Sequence, residues 1–167
     1  NAEGVPIVAK VWLMETDTET ETNGDGIALL TPESGDNTLH VSADGYASIR
    51  QPLRLEAGQE TSVVLVLAPA RVAISADRIL IRDKIFFDTG SAEILPTSHP
   101  LLDEVALLIL DHPELRRLEV QGHTDDVGDA EANQQLSQER AEAVSRYLVS
   151  AGLNAARLSS VGLGEDH

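Results

Sequence analysis

Asp125 and Arg140 carry opposite charges at a spacing that could recognise a ligand. Asp125 follows a predicted strand at residues 118–120, and Arg140 lies about one helical turn beyond Leu136 on a predicted helix. A carboxylate accepts hydrogen bonds from an ammonium group, and a guanidinium offers a planar fork to a carboxylate. The pair could therefore hold a zwitterionic amino-acid headgroup. From spacing alone an internal ion pair without a ligand is favoured, because such pairs are common and often idle.

Other chemistry-bearing patterns do not appear in the sequence. It has no cysteine, its five histidines form no metal-binding pair, and there is no nucleophile elbow or phosphate loop. The acidic run at residues 17–25 resembles a calcium loop, but Pro32 falls where a bidentate carboxylate is required. The sequence therefore predicts no enzyme, no metal and no cofactor. Weak calcium binding by this run, or a ligand role for His123, are minor alternatives.

Net charge and hydropathy exclude several classes of binding partner. The 167 residues carry a formal net charge of −16. This charge argues against nucleic acid and disfavours anionic lipid, since both need a basic face. The longest apolar stretch, at residues 63–70, is far below the ~20 residues of a membrane span, so we expect no membrane insertion. The chain begins without Met or a basic leader, which suggests a fragment or a processed chain.

The first part of the chain predicts a small all-β sandwich at residues 1–70. Strand-like stretches occupy residues 7–13, 27–30, 38–41, 53–55 and 61–67. Turn signals containing glycine separate them every 8 to 14 residues, at Asn23, Asp44 and Gly58. The acidic run is interpreted as a solvated hairpin. Residues 71–78 are predicted to be a linker.

Residues 79–167 predict a two-layer α/β domain of order β-α-β-α-β. A strand at residues 79–87 precedes a helix with Ser98 as N-cap and a stripe of apolar residues from Leu101 to Ile109. A strand at residues 118–120 follows. A second helix, capped by Asn133 or an adjacent residue, ends at Gly152, and the last strand covers residues 158–163. This order places the helices on one sheet.

Several motifs of the second part resemble the OmpA-like C-terminal domain. They are IFFDTGSA at residues 85–92, LLDEVA at 101–106, VQGHTD at 120–125, and GLGE at 162–165, with Arg140 and Ala141 between the last two. This family, shared with Pal and MotB-type proteins, is a non-catalytic peptidoglycan-binding module. The resemblance implies a Gram-negative periplasmic protein associated with the outer membrane or cell wall.

The resemblance also implies a site for the meso-diaminopimelate of the peptidoglycan peptide stem. Asp125 would take the ammonium group and Arg140 the α-carboxylate. Backbone N–H groups around Asp88, Thr89 and Gly90 would line the pocket. Thr124 and Asn133 would shape the loop.

The C-terminal end of the sequence departs from the family pattern, and an alternative function follows from that departure. The family usually continues beyond residue 166 into an Arg-rich segment and a last strand, whereas this sequence stops at His167. We therefore expect a C-terminally truncated domain with an exposed sheet edge. The alternative function is a structural or assembly module, such as a stator or secretion scaffold, that contacts proteins or its own copies through that edge and binds no muropeptide.

The first part resembles carboxypeptidase regulatory-like or PEGA-type β-sandwich modules more loosely. The residues that carry this likeness are TLHVSADGY at 38–46, AGQ at 57–59 and VVLVL at 63–67. Such modules usually act as spacers or protein-contact domains, and the resemblance implies no enzyme activity.

Overall fold

A computed structural model describes residues 3–16, 18–76 and 78–165 of the chain. The chain separates into two compact units, Asn1–Ala73 and Ile74–His167. The division falls inside the segment predicted as a linker. Each unit is described by itself below.

The N-terminal unit is built on one antiparallel sheet. Its strands are β1 (Lys10–Leu13), β2 (Thr18–Glu21), β3 (Gly35–Ser42) and β4 (Ile49–Leu55), in the order β2-β1-β3-β4. The hairpin β1–β2 confirms the prediction for the acidic run, although Asp17 lies outside the described residues. Alternate residues of β1 and β3 form one apolar face, because side chains alternate across a strand. The core on that face comprises Ala9, Val11, Leu13, Leu39, Val41 and Leu67.

The predicted strand at residues 7–13 is shorter in the structure, and the cause is local. The Thr22 hydroxyl accepts a hydrogen bond from the Ala9 N–H at 2.8 Å and donates one to the Ile7 carbonyl at 2.8 Å. The Thr22 N–H still donates to the Ala9 carbonyl at 2.9 Å, so the side chain replaces only the backbone acceptor of the Ala9 N–H, and the regular ladder begins at Lys10.

The predicted strands at residues 27–30 and 61–67 are wrong, and so is the expectation of a second sheet. Neither segment joins a sheet in the described part of the chain. β-propensity alone does not make a strand, because a strand also needs a partner for its backbone groups. The N-terminal unit is therefore a sheet with extended segments over it and not a two-sheet sandwich.

The segment predicted as a linker carries strands instead. β5 (Val72–Ser75) and β6 (Arg78–Ile81) form a separate two-stranded sheet. The turn between them begins at Ala76, which has a positive φ of 48°. Alternation of valine and isoleucine with smaller or polar residues explains why this segment is extended.

The C-terminal unit is α/β and follows most of its predicted order. Its elements are α1 (His99–Asp111), β7 (Leu118–Gly122), α2 (Ala130–Ser150) and β8 (Leu158–Gly162), with 3-10 turns at Pro96–Ser98 and Ala155–Arg157. β7 and β8 are parallel and pair in register from Leu118↔Leu158 to Gly122↔Gly162. The predicted strand at residues 79–87 is regular only as far as Ile81, and Phe87 forms an isolated bridge with Ile94. Both helices bury an apolar face made of Leu101, Leu102, Val105, Ala106, Ile109, Ala141, Val144 and Leu148.

Two side chains fix α1 within this unit. The Arg157 guanidinium donates to the carbonyls of Ile109, His112 and Leu115, the last at 2.6 Å, which satisfies the open end of the helix. The Tyr147 hydroxyl of α2 donates to Asp103 of α1 at 2.8 Å. Burial, and then this hydrogen bond to Asp103, raises the pKa of Tyr147 to about 12.

Helix α2 lies very close to the two strands at their glycines. A Cβ added to Gly122 would collide with the Ser137 carbonyl, and one added to Gly162 would collide with the Gln138 backbone nitrogen. Ser137 is completely buried, and its hydroxyl accepts a hydrogen bond from the Gly164 N–H at 2.9 Å. Only glycine allows this approach of helix to sheet.

The edge of β8 that faces away from β7 is hydrogen-bonded by two glutamine side chains. Gln138 accepts from the Gly162 N–H at 2.7 Å, and Gln134 donates to the Gly162 carbonyl at 2.7 Å. Gln138 also donates to the Ser160 carbonyl at 3.4 Å. Side chains of α2 thus occupy backbone groups that another strand would use.

Gly162→Ala is expected to destabilise the C-terminal unit by about 1–3 kcal/mol, because the helix must move to admit one methyl group. Denaturant unfolding followed by circular dichroism measures this loss. Gly24→Ala is the matched control, since a Cβ there meets nothing within 4 Å. Equal stability of Gly162→Ala and the wild type would contradict the close packing.

Candidate ligand-binding site

The loop between β7 and α2, residues 123–129, carries Asp125, the carboxylate predicted to bind an ammonium group. It ends at Asp129, whose side chain accepts hydrogen bonds from the N–H groups of Glu131 and Ala132, both at 3.1 Å. Asp129 is therefore the N-cap of α2, and the prediction that named Asn133 or an adjacent residue was displaced by one helical turn. The cap fixes where the helix starts and where the loop must finish.

Asn133 holds the loop from inside the first turn of α2. It is buried, and its side-chain amide donates to the carbonyls of Asp125 at 3.3 Å and Val127 at 3.4 Å. Gly128 supports the same bend with a φ of 115°. The backbone of the loop is thereby held by the helix, while the Asp125 side chain stays exposed to solvent.

Thr124 ties the other side of the loop to the end of β8. Its N–H donates to the Gly164 carbonyl at 2.8 Å. Its hydroxyl oxygen is buried and has no hydrogen-bond partner within residues 3–16, 18–76 and 78–165. Thr124 therefore contacts the end of β8 through its backbone N–H, and its hydroxyl makes no hydrogen bond within the described residues.

Arg140 is half-buried and held on two sides. Its Nε donates to the Ser91 carbonyl at 3.1 Å, and its guanidinium carbon lies 5.0 Å from the centroid of the Phe87 ring. Both contacts restrict the orientation of the planar group. Its two terminal nitrogens make no hydrogen bond within the described residues, so they are available to a ligand.

Asp125 and Arg140 are not paired with each other. No ion pair within 4.0 Å joins them in the part of the chain that the structure describes. The internal ion pair that spacing alone favoured is therefore wrong. The physical reason is that other groups position both residues: Asn133 holds the backbone of Asp125, and Ser91 takes one N–H of Arg140.

The turn at residues 88–91 brings the other predicted residues next to Arg140. The Asp88 N–H donates to the Glu93 carbonyl at 2.9 Å, so it is engaged within the turn. Gly90 has a φ of 64°, and the N–H groups of Thr89 and Gly90 have no partner among the described residues. Because the Ser91 carbonyl bonds Arg140, the turn and the guanidinium are adjacent.

Ser98 anchors this turn segment to helix α1. Its side chain makes no cap bond, although it occupies the predicted N-cap position. The hydroxyl instead accepts the Phe86 N–H at 2.7 Å. Sequence reasoning missed Phe87 and Ser91 as positioning residues. An aromatic residue in the FFDTGS stretch was the available signal for Phe87, whereas Ser91 acts through its backbone and gives none.

Within the described residues no group of three or more His, Asp or Glu side chains could hold a metal ion. None of the described helices has the length and apolar character needed to span a bilayer. The site offers an exposed carboxylate, a fixed guanidinium and two backbone N–H groups, a set that suits a small zwitterion.

Comparison with known proteins gives the following matches. Residues 86–167 match the OmpA family. Probable lipoprotein YiaD of Escherichia coli (strain K12) is 34% identical over 95 residues, which are 56% of this chain and 43% of that protein. Outer membrane protein A of Escherichia fergusonii is 30% identical over 134 residues, 78% of this chain and 55% of that protein. The chain thus spans about half the length of these curated relatives.

Among solved structures, the crystal structure of the peptidoglycan-associated lipoprotein from Burkholderia pseudomallei is 37% identical in sequence. The match covers 50% of this chain and 69% of that chain, with a TM-score of 0.44.

Asn133→Ala is expected to loosen the loop, because the carbonyls of Asp125 and Val127 lose their donor. We expect a loss of about 1–3 kcal/mol in the free energy of unfolding. Cleavage of the loop by a protease that cuts after acidic residues should become several-fold faster. Gln135→Ala is the control, since Gln135 is exposed and bonds only Glu139 on the helix surface. The same cleavage rate in both variants would refute the role of Asn133.

Proposed function

We propose that this chain, whose residues 86–167 form an OmpA family domain, binds peptidoglycan non-covalently. It would anchor the protein to which it belongs to the cell wall, in the periplasm next to the outer membrane. The binding is reversible and needs no catalysis, metal or cofactor. The family match and the chemistry of the loop after β7 support this proposal.

The observation that carries the proposal is the pair of unmatched charges. Asp125 is exposed, and the terminal nitrogens of Arg140 have no partner in the described structure. The backbone of Asp125 is nevertheless held by Asn133, and the Arg140 guanidinium is held at its Nε by the Ser91 carbonyl. Free charges on a rigid frame are typical of a binding site, since pre-organisation lowers the cost of ordering on binding.

We propose the diaminopimelate of the peptide stem as the recognised group. The free end of this residue carries an ammonium and a carboxylate on the same carbon. Asp125 accepts hydrogen bonds from the ammonium, and the outer edge of Arg140 binds the carboxylate through parallel N–H donors. The N–H groups of Thr89 and Gly90 add neutral donors to the carboxylate.

The acidic surface is compatible with this ligand. A formal net charge of −16 repels anionic polymers. A zwitterionic headgroup has no net charge, so the surrounding field does not oppose its approach. The same field favours the ammonium end near Asp125, and Arg140 then provides the local positive charge for the carboxylate.

Asp125→Asn is expected to weaken binding of a diaminopimelate-containing muropeptide about 10- to 100-fold, because one charged hydrogen-bond partner is worth roughly 1.5–3 kcal/mol. Isothermal titration measures the change. Asp126→Asn is the matched control: it removes the same charge from the neighbouring exposed residue and should change affinity less than about threefold. Equal affinity of wild type and Asp125→Asn would sink the assigned pocket.

Arg140 can be tested through the ligand's carboxylate. A muropeptide with lysine in place of diaminopimelate keeps the ammonium and lacks the carboxylate. Wild type should prefer the diaminopimelate form by about 10-fold or more, and Arg140→Ala should bind both forms equally weakly, because the lost interaction is charge-assisted. A preference that survives in Arg140→Ala would assign the carboxylate to other donors.

Phe87→Leu is expected to reduce the preference for the diaminopimelate form about three- to tenfold, because the guanidinium loses its aromatic support. Affinity for the lysine form should not change, which separates this effect from general unfolding. Phe87→Tyr retains the ring face and should retain the preference. The control is Phe86→Leu, since Phe86 is half-exposed and its ring does not contact Arg140. A Phe87→Leu protein with the wild-type preference would contradict the positioning role.

The alternative of an assembly module depended on an open sheet edge. On β8 the Ser160 carbonyl and both backbone groups of Gly162 already bond to Gln138 and Gln134. That strand therefore gives no support to assembly through its edge, and we do not favour this function.

A further inference from the structure

The N-terminal unit contains an apolar cleft of about 740 Å³ that peptidoglycan binding does not use. Sheet side chains such as Val11, Leu39 and Val41 line it, together with two extended segments at residues 27–32 and 61–67. Its volume lies within the range of ligand pockets, about 300–1,000 Å³. The cleft belongs entirely to residues of this unit.

Residues 61–67 form no regular secondary structure, and their exposure alternates from Val64 to Leu67 as in an extended backbone. None of their N–H or carbonyl groups forms a hydrogen bond within the part of the chain that the structure describes. The C-terminal end of this segment is nevertheless fixed, because the Ala47 N–H donates to Ala68 and the Ala70 N–H donates to Gly45, both at 2.9 Å. A tethered, extended backbone with free donors and acceptors is a template for another strand.

The side chains of this segment are apolar on both faces. Leu67 is buried in the core and Leu65 packs against it, whereas Val64 is 87% exposed and Val66 is 55% exposed. Strands with apolar residues on both faces are typical of strands that are covered on both sides. The exposed valines therefore indicate that a partner covers this segment.

Charge identifies the kind of partner. The charged side chains that line the cleft are all acidic, namely Asp25, Glu56 and Glu60. Residues 1–70 carry 11 acidic and 3 basic side chains, a net charge of −8. A second copy of this chain would bring the same negative charge and would be repelled. A partner segment with lysine or arginine beside its apolar residues is favoured.

We propose that residues 61–67 bind an extended apolar segment of a basic partner polypeptide by strand addition. The backbone of the partner pairs with the free groups of residues 61–67, and its alternate side chains enter the cleft. Basic residues at either end of that segment meet Asp25, Glu56 and Glu60. This interaction is independent of the muropeptide site, because it uses only the N-terminal unit.

The test uses two synthetic peptides with blocked ends and a shared core of alternating valine and threonine. One carries two lysines at each end and the other two glutamates. Fluorescence anisotropy should show at least 10-fold tighter binding of the lysine peptide to the full chain, weakening as salt is raised. Hydrogen–deuterium exchange should show protection at residues 61–67 only when the lysine peptide is present.

Two variants at Val64 test whether the backbone N–H of this segment contributes to binding. Val64→Pro removes one N–H donor, whereas Val64→Thr keeps it and has a similar shape. We expect Val64→Pro to weaken the lysine peptide at least fivefold and Val64→Thr to change its affinity less than twofold. Val64 is exposed and bonds nothing through its N–H, so both variants should keep the wild-type circular dichroism spectrum.

Three results would overturn the proposal. Equal binding of the two peptides, or no binding of either peptide, would contradict the proposal that the partner is basic. Protection of residues 61–67 in the free chain at every concentration would show that the segment pairs within its own chain. Protection that grows with protein concentration, together with dimers in sedimentation, would assign the surface to a second copy.

Discussion

The close approach of helix α2 to strands β7 and β8 determines the geometry of the C-terminal unit. Gly122 and Gly162 have no side chains, so the helix backbone at Ser137 and Gln138 lies directly on the sheet. This contact sets the height and rotation of the helix. Asn133, one turn earlier, consequently reaches the loop carbonyls, and Arg140, one turn later, reaches the turn at residues 88–91. Two glycines thereby fix α2 where it contacts both the loop after β7 and the turn at residues 88–91, which are far apart in sequence.

The candidate site uses rigid supports and leaves its charged ends free. Arg140 donates one N–H to a backbone carbonyl and packs one face against an aromatic ring. These contacts fix the plane of the guanidinium without neutralising its charge. Asp125 is fixed through its carbonyl and not through its carboxylate. An internal ion pair would have neutralised both charged groups. Under the function proposed above, leaving them unpaired keeps both available to a zwitterionic ligand.

The regular part of the C-terminal unit could be predicted from the sequence. Helices α1 and α2 have apolar residues at helical spacing, and the strands β7 and β8 are separated from α2 by segments that contain glycine. The separation of Asp125 from Arg140 could not be predicted, since it depends on two hydrogen bonds to backbone carbonyls. The Asn133 side-chain amide donates to the Asp125 carbonyl, and the Arg140 Nε donates to the Ser91 carbonyl. Residues 61–67 were predicted to be a strand, and composition was misleading there. Valine and leucine make a segment extended, but only a neighbouring backbone makes it a strand.

The two glutamines at the edge of β8 affect how neighbouring copies of the protein can associate. A protein that is concentrated along a polymer meets its own copies often, and an unpaired parallel strand is a site where copies polymerise edge to edge. The side-chain amides of Gln134 and Gln138 occupy the Ser160 carbonyl and both backbone groups of Gly162. A neighbouring strand would have to displace these amides before it could pair. The helix that builds the pocket thus also protects this flank of the sheet from aggregation.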